Sequence, residues 1–112
     1  MFGDGFLSEM ESALSICFYD ENNNEVLLTE ISEGLHYHIF QKNVHPGNWG
    51  ILSKIKDRYG KTVSFNSPQI KEFIKKLHKI KEFIPQIYEK EIDEIIQVLN
   101  NEQIENIIIY GD

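Results

Sequence analysis

The 112-residue sequence predicts an α+β fold: a mostly antiparallel sheet, made of an N-terminal three-strand meander and a C-terminal strand, with a short helix and two longer helices packed on one face. Three observations predict it. Two apolar runs near the start, "ALSICFY" and "EVLLTEI", flank the polar cluster "ENNNE". The segment "FNSPQIKEFIKKLHKIKEFIPQ" repeats apolar residues at helical spacing opposite a lysine-rich side. The last segment, "IENIIIYGD", holds a four-residue apolar run rich in β-branched side chains.

Each element has a local reason. Asp20 to Asn24 forms a turn, because asparagine tolerates positive φ at low cost, and a β-hairpin follows. After Ser32-Glu33-Gly34, "LHYHIFQ" alternates like a third strand, with Leu35, Tyr37 and Ile39 on one side and His36, His38 and Phe40 on the other. "NVHPGNWG" is a loop, and Trp49 within it is expected to pin that loop to the core, since burying an indole is strongly favourable. Ile51, Leu52, Ile55 and Tyr59 recur at helical spacing before Gly60, which predicts the short helix, although a strand fits part of the same pattern.

The first long helix starts where Asn66 or Ser67 accepts free amide hydrogens and Pro68 supplies a first-turn residue that needs no N–H partner. Its stripe is Ile70, Phe73, Ile74, Leu77 and Ile84, and Pro85 ends or kinks it. The second carries Tyr88, Ile92, Ile95, Ile96 and Leu99 against Glu89, Asp93 and Glu94. A basic helix beside an acidic one predicts an antiparallel pair with complementary rims. Ile107 to Tyr110 is the C-terminal strand.

Composition bounds the function. One domain spanning 1–112 is expected at this length, and 41% hydrophobic residues suffice to offset the entropy of ordering the chain. No apolar run approaches eighteen residues, and "MFGDGFLSEMESA" is acidic where a secretory signal is basic, so a cytoplasmic protein is expected, with no membrane partner. Cys17 is the single cysteine, in the apolar context "SICFY", and is expected to be a core thiol. The net charge of -7 is unevenly spread. Residues 1–41 hold eight acids and no Lys or Arg, residues 42–81 hold ten bases and two acids, and residues 82–112 hold eight acids and Lys90. An acidic N-terminal surface is thereby left for a basic partner.

Motifs for chemistry are sparse. His36, His38 and His45 fall within ten positions, and Glu30 or Glu33 would complete a zinc set. Without cysteine ligands or HExxH spacing, however, two histidines on a polar strand face need no metal. No Gly-x-Ser-x-Gly segment exposes a serine nucleophile, and "GDG" and "PGNWG" lack the spacing of a phosphate loop. Lys54, Lys56, Arg58, Lys61 and the lysines of the long helix sit in a chain of pI about 5.0, which reads as a solvated face and not a nucleic-acid site. No enzyme activity, metal or cofactor is expected.

The stretch "WGILSKIKDRYGKTVSFNSPQIKEFIKKL" resembles a pattern of small uncharacterised bacterial proteins, in which a Trp precedes "LxxIxDxY", a "TVxF" segment and a helix. In overall character, small, acidic and rich in Asn, Ile and Lys, the chain also resembles immunity proteins of bacterial contact-dependent growth inhibition and related polymorphic toxin systems. That resemblance implies a protein that binds and blocks a cognate toxin domain, often a basic nuclease, by stoichiometric occlusion. The acidic hairpin (Asp20, Glu21, Glu25) and the neighbouring Glu30, Glu33, His36 and His38 are the expected toxin-binding surface. Two other classes fit the sequence less well: a metal-dependent or histidine-using enzyme built on His36, His38 and His45, and a homo-oligomeric regulatory module.

Overall fold

The computed structural model describes residues 12–40, 50–55 and 62–111. Four strands form one antiparallel sheet: β1 (Ser12–Tyr19), β2 (Glu25–Ser32), β3 (Thr62–Phe65) and β4 (Ile107–Gly111), in the order β2-β1-β4-β3. Three helices, α1 (Glu33–Phe40), α2 (Ser67–Ile80) and α3 (Glu89–Leu99), complete an α+β architecture. Among the described residues no helix is long and apolar enough to cross a membrane.

The hairpin forms at "ENNNE" for the expected reason. Asn23 takes φ of 65°, and the Asp20 carboxylate accepts the backbone N–H groups of Asn22 at 2.9 Å and Asn24 at 2.8 Å. Register then decides which side chains meet. Opposed residues of an antiparallel pair share a face, so Phe18 with Val26, Val63 with Ile109 and Ile16, Phe65 with Ile107, and Leu14 with Ile31 form the inner rows. The outer rows are Thr62, Tyr110, Ser15 and Glu30; Ser64, Ile108, Cys17 and Leu27; and Tyr19 with Glu25. A register shift at Ile16/Cys17 places a bulge in β2, one of the two edge strands among the described residues, which disturbs its outward row of backbone groups.

The helices cover the inner rows. Asn66 caps α2 by accepting from Gln69 N at 3.0 Å, while the Gln69 side chain accepts from Asn66 N at 2.9 Å, a reciprocal pair that satisfies two otherwise orphaned donors. Ile70, Phe73, Leu77 and Ile80 of α2 and Ile92, Ile95, Ile96 and Leu99 of α3 are buried in one cluster with Leu14, Ile16, Ile107 and Ile109 of the sheet. Ile84 is extended ahead of Pro85, so regular helix stops at Ile80 and resumes at Glu89. The rims of the two helices meet where Lys81 Nζ lies 2.8 Å from Asp93 Oδ1, an exposed pair of small energetic weight.

The structure corrects the meander. "LHYHIF" is not part of a third strand, because Glu33–Phe40 is helical; Gln41, the last residue of the expected strand, lies outside the described residues. Ser32 caps it, its hydroxyl accepting from Leu35 N at 3.1 Å, and Leu35 with Ile39 and His36 with Phe40 are pairs four apart that turn to the core. β1 is flanked by β2 and β4, and the sheet gains a strand, "TVSF", that the sequence reading did not assign. Gly50–Ile55 is a 3-10 helix that buries Ile51, Leu52 and Ile55. The rest of the expected short helix, to Tyr59, lies outside the described residues, as do His45 and Trp49.

Candidate functional site

The helical correction separates the histidines. Two positions along a strand share a face, whereas two positions along a helix point about 200° apart. His36 is buried, its Nε2 3.0 Å from the Ile55 carbonyl and its ring 4.8 Å from that of Phe40, so it holds the 3-10 helix against α1 and takes no part in a surface. His38 is half-buried against Tyr88, with ring centroids 5.1 Å apart. Among the described residues no group of three His, Cys, Asp or Glu side chains is placed to hold a metal.

The expected acidic residues divide by layer. Glu33 begins α1 and lies with the helices. Asp20 spends one carboxylate oxygen on the turn, and Glu21 stands exposed at its tip. Glu25 and Glu30 project from β2 on the outer face of the sheet, and they are the charged side chains of all four strands; the strand sequences contain no Lys or Arg. No described Lys or Arg pairs with either glutamate.

The outer face is more organised than charge alone predicts. The Tyr110 hydroxyl of β4 donates a hydrogen bond to Glu25 Oε1 of β2, and the Tyr19 hydroxyl approaches the same oxygen at 3.5 Å. Because β1 runs between β4 and β2, the Tyr110–Glu25 bridge crosses the middle strand above Cys17, which is buried although its row faces outward. A shallow open depression lined by Ser15, Cys17, Glu25, Leu27, Tyr110 and Gly111 results. Leu27 is 55% and Tyr19 48% exposed, so apolar and aromatic surface surrounds the carboxylate.

The hydrogen bond to Glu25 holds the Tyr110 phenol well above the ordinary tyrosine range, with desolvation and then Tyr19 acting in the same direction. A folded-state pKa above the unfolded value means the native chain keeps this proton longer, so the contribution is complete below about pH 10 and is lost as pH rises further. Wild-type stability is therefore expected to fall more steeply than that of Tyr110→Phe above about pH 10, measured by urea unfolding at stepped pH. Parallel declines would contradict the bridge.

Comparison of the chain with protein families, curated proteins and solved structures finds no match. The chemistry of the outer face therefore carries the functional reading alone.

Proposed function

We propose that this chain is a non-enzymatic, cytoplasmic binding protein of the immunity type, which blocks a basic toxin domain by occupying its surface in a stoichiometric complex. The observation that carries the reading is a sheet face whose strands contain two glutamates and no Lys or Arg, continued by Glu21 at the hairpin tip. A one-sign surface attracts an oppositely charged partner over a distance of about one Debye length, roughly 8 Å at physiological salt, and speeds capture before close contacts form. For a toxin whose own substrate is a polyanion, carboxylates spaced along β2 and the turn before it compete for the same cationic groups. The contact surface is Asp20, Glu21, Glu25 and Glu30, and it excludes the buried His36.

The test is association kinetics with a cognate basic toxin domain, for the wild type and for the combined Glu21→Lys, Glu25→Lys and Glu30→Lys variant. The association rate of the wild type is expected to fall with added salt, and the reversal variant to associate at least roughly tenfold more slowly at low salt. Rates insensitive to both salt and reversal would refute the electrostatic account.

A further inference from the structure

We infer that the open face of the sheet seats one arginine side chain of the protein partner, its guanidinium against the Glu25 carboxylate beside Tyr19 and Tyr110, with Leu27 and Ile108 beneath the flanking apolar residues. This rests on the proposed reading of the chain as a binder of basic domains and names the point of contact. Three observations carry it.

First, both tyrosine hydroxyls converge on the same oxygen, Oε1, and no described group bonds Oε2. A carboxylate accepts through both oxygens, so the second is available to a cationic donor. Second, among the described residues the carboxylate has no cation partner: β1 to β4 contain none, and the described lysines belong to the 3-10 helix at Gly50–Ile55, α2, the segment after it and α3. Third, its surroundings are aromatic and apolar, with Tyr19 and Leu27 about half exposed and Ile108 in the same row as Cys17 and Leu27.

These features favour guanidinium over ammonium. The guanidinium is planar and weakly hydrated, it stacks on aromatic rings, and it presents several donors to one carboxylate, whereas an ammonium group gives up a tighter water shell to reach a partly apolar floor. The two phenols hold the carboxylate in place before binding, which reduces the entropy lost when the partner arrives. Aromatic residues around a central charged group are also the side-chain types that dominate interface energetics.

The test uses the isotope-labelled full chain and three acetylated, amidated tripeptides, Leu-Arg-Leu, Leu-Lys-Leu and Leu-citrulline-Leu, read by NMR titration. Citrulline keeps the shape of arginine and removes its charge. The arginine peptide is expected to give saturable shifts at Tyr19, Glu25, Leu27 and Tyr110, with the lysine peptide several-fold weaker and the citrulline peptide at least roughly tenfold weaker, about 1.4 kcal/mol. Glu25→Gln and Tyr110→Phe are each expected to weaken the arginine peptide. Equal binding of the citrulline or lysine peptide, shifts centred on the helices, or an unchanged response in Glu25→Gln would overturn the inference. The outcomes separate from those of the proposed function: seating of arginine without toxin association refutes the inhibitor reading alone, and toxin association without arginine seating refutes this contact alone.

Discussion

Phe73→Ala is expected to lower the stability of the chain by about 3–5 kcal/mol, the largest single-site effect. Phe73 is fully buried at the centre of α2, and its ring lies 5.4 Å from that of Phe65, the last residue of β3, at an interplanar angle of 53°. Truncation removes the transfer free energy of the ring and leaves a cavity beside Phe65, where β3 is only four residues long. A domain of this size has roughly 5–15 kcal/mol in total, so the variant loses a large fraction of its margin. Urea unfolding checks it: the midpoint should fall with the slope unchanged. A loss under about 1 kcal/mol would show that α2 does not pack on the sheet through this residue.

Glu91→Ala ranks second. Glu91 of α3 accepts from Ser32 N at 2.7 Å through one oxygen and from the Ser32 hydroxyl at 2.8 Å through the other. The same hydroxyl accepts from Leu35 N, so one carboxylate fixes the residue at which β2 ends and α1 begins. Removing it leaves a part-buried backbone N–H and hydroxyl without their acceptor, and a negative charge is lost near the N-terminal end of α1. The expected loss is about 2–4 kcal/mol, with Glu91→Gln losing less because an amide oxygen still accepts one bond. Hydrogen exchange should show α1 opening more readily than α2 in Glu91→Ala. Uniform acceleration across the chain, or none, would contradict a local clasp.

Where sequence was a good guide, the decisive interactions are local. Asp20 and Asn23 form their turn within five residues, Asn66 and Gln69 cap α2 within four, and the stripes of α2 and α3 need only the helical period. The helical state of residues 35–40, where alternation predicts a strand, has an equally local cause. "LHYHIFQ" alternates, yet it also places apolar residues four apart, and seven residues do not separate the two periods. Ser32 followed by Glu33 was the signal for a helix start, a capping serine with an acid in the first turn. The strand "TVSF" was missed because four residues with one fully buried side chain, Phe65, carry almost no periodicity; β4 specifies it by pairing.

The candidate site was half legible for a related reason. The acidity of the hairpin is plain in composition, whereas the partner of Glu25 is 85 positions away at Tyr110 and is brought near by the sheet order β2-β1-β4. No short-range pattern encodes that pairing, nor that of Ser32 with Glu91, 59 positions apart. Conversely, His36 and His38 stand out in the sequence by their closeness, and the helical geometry that separates them is the property hardest to read. Glu21 and Glu30 are exposed at the hairpin tip and on β2, while Glu33 and His38 belong to the helical layer and His36 to the interior.

The outer face of the sheet is the proposed docking site for a basic protein partner. Hydrogen exchange of the full chain, free and bound to a cognate basic toxin domain, tests it most directly. Slowed exchange in the complex is expected in β1, β2 and the intervening turn, extending to β4 at Tyr110, with α2 and α3 unchanged. Protection confined to the helices, with the hairpin exchanging as in the free chain, would contradict it.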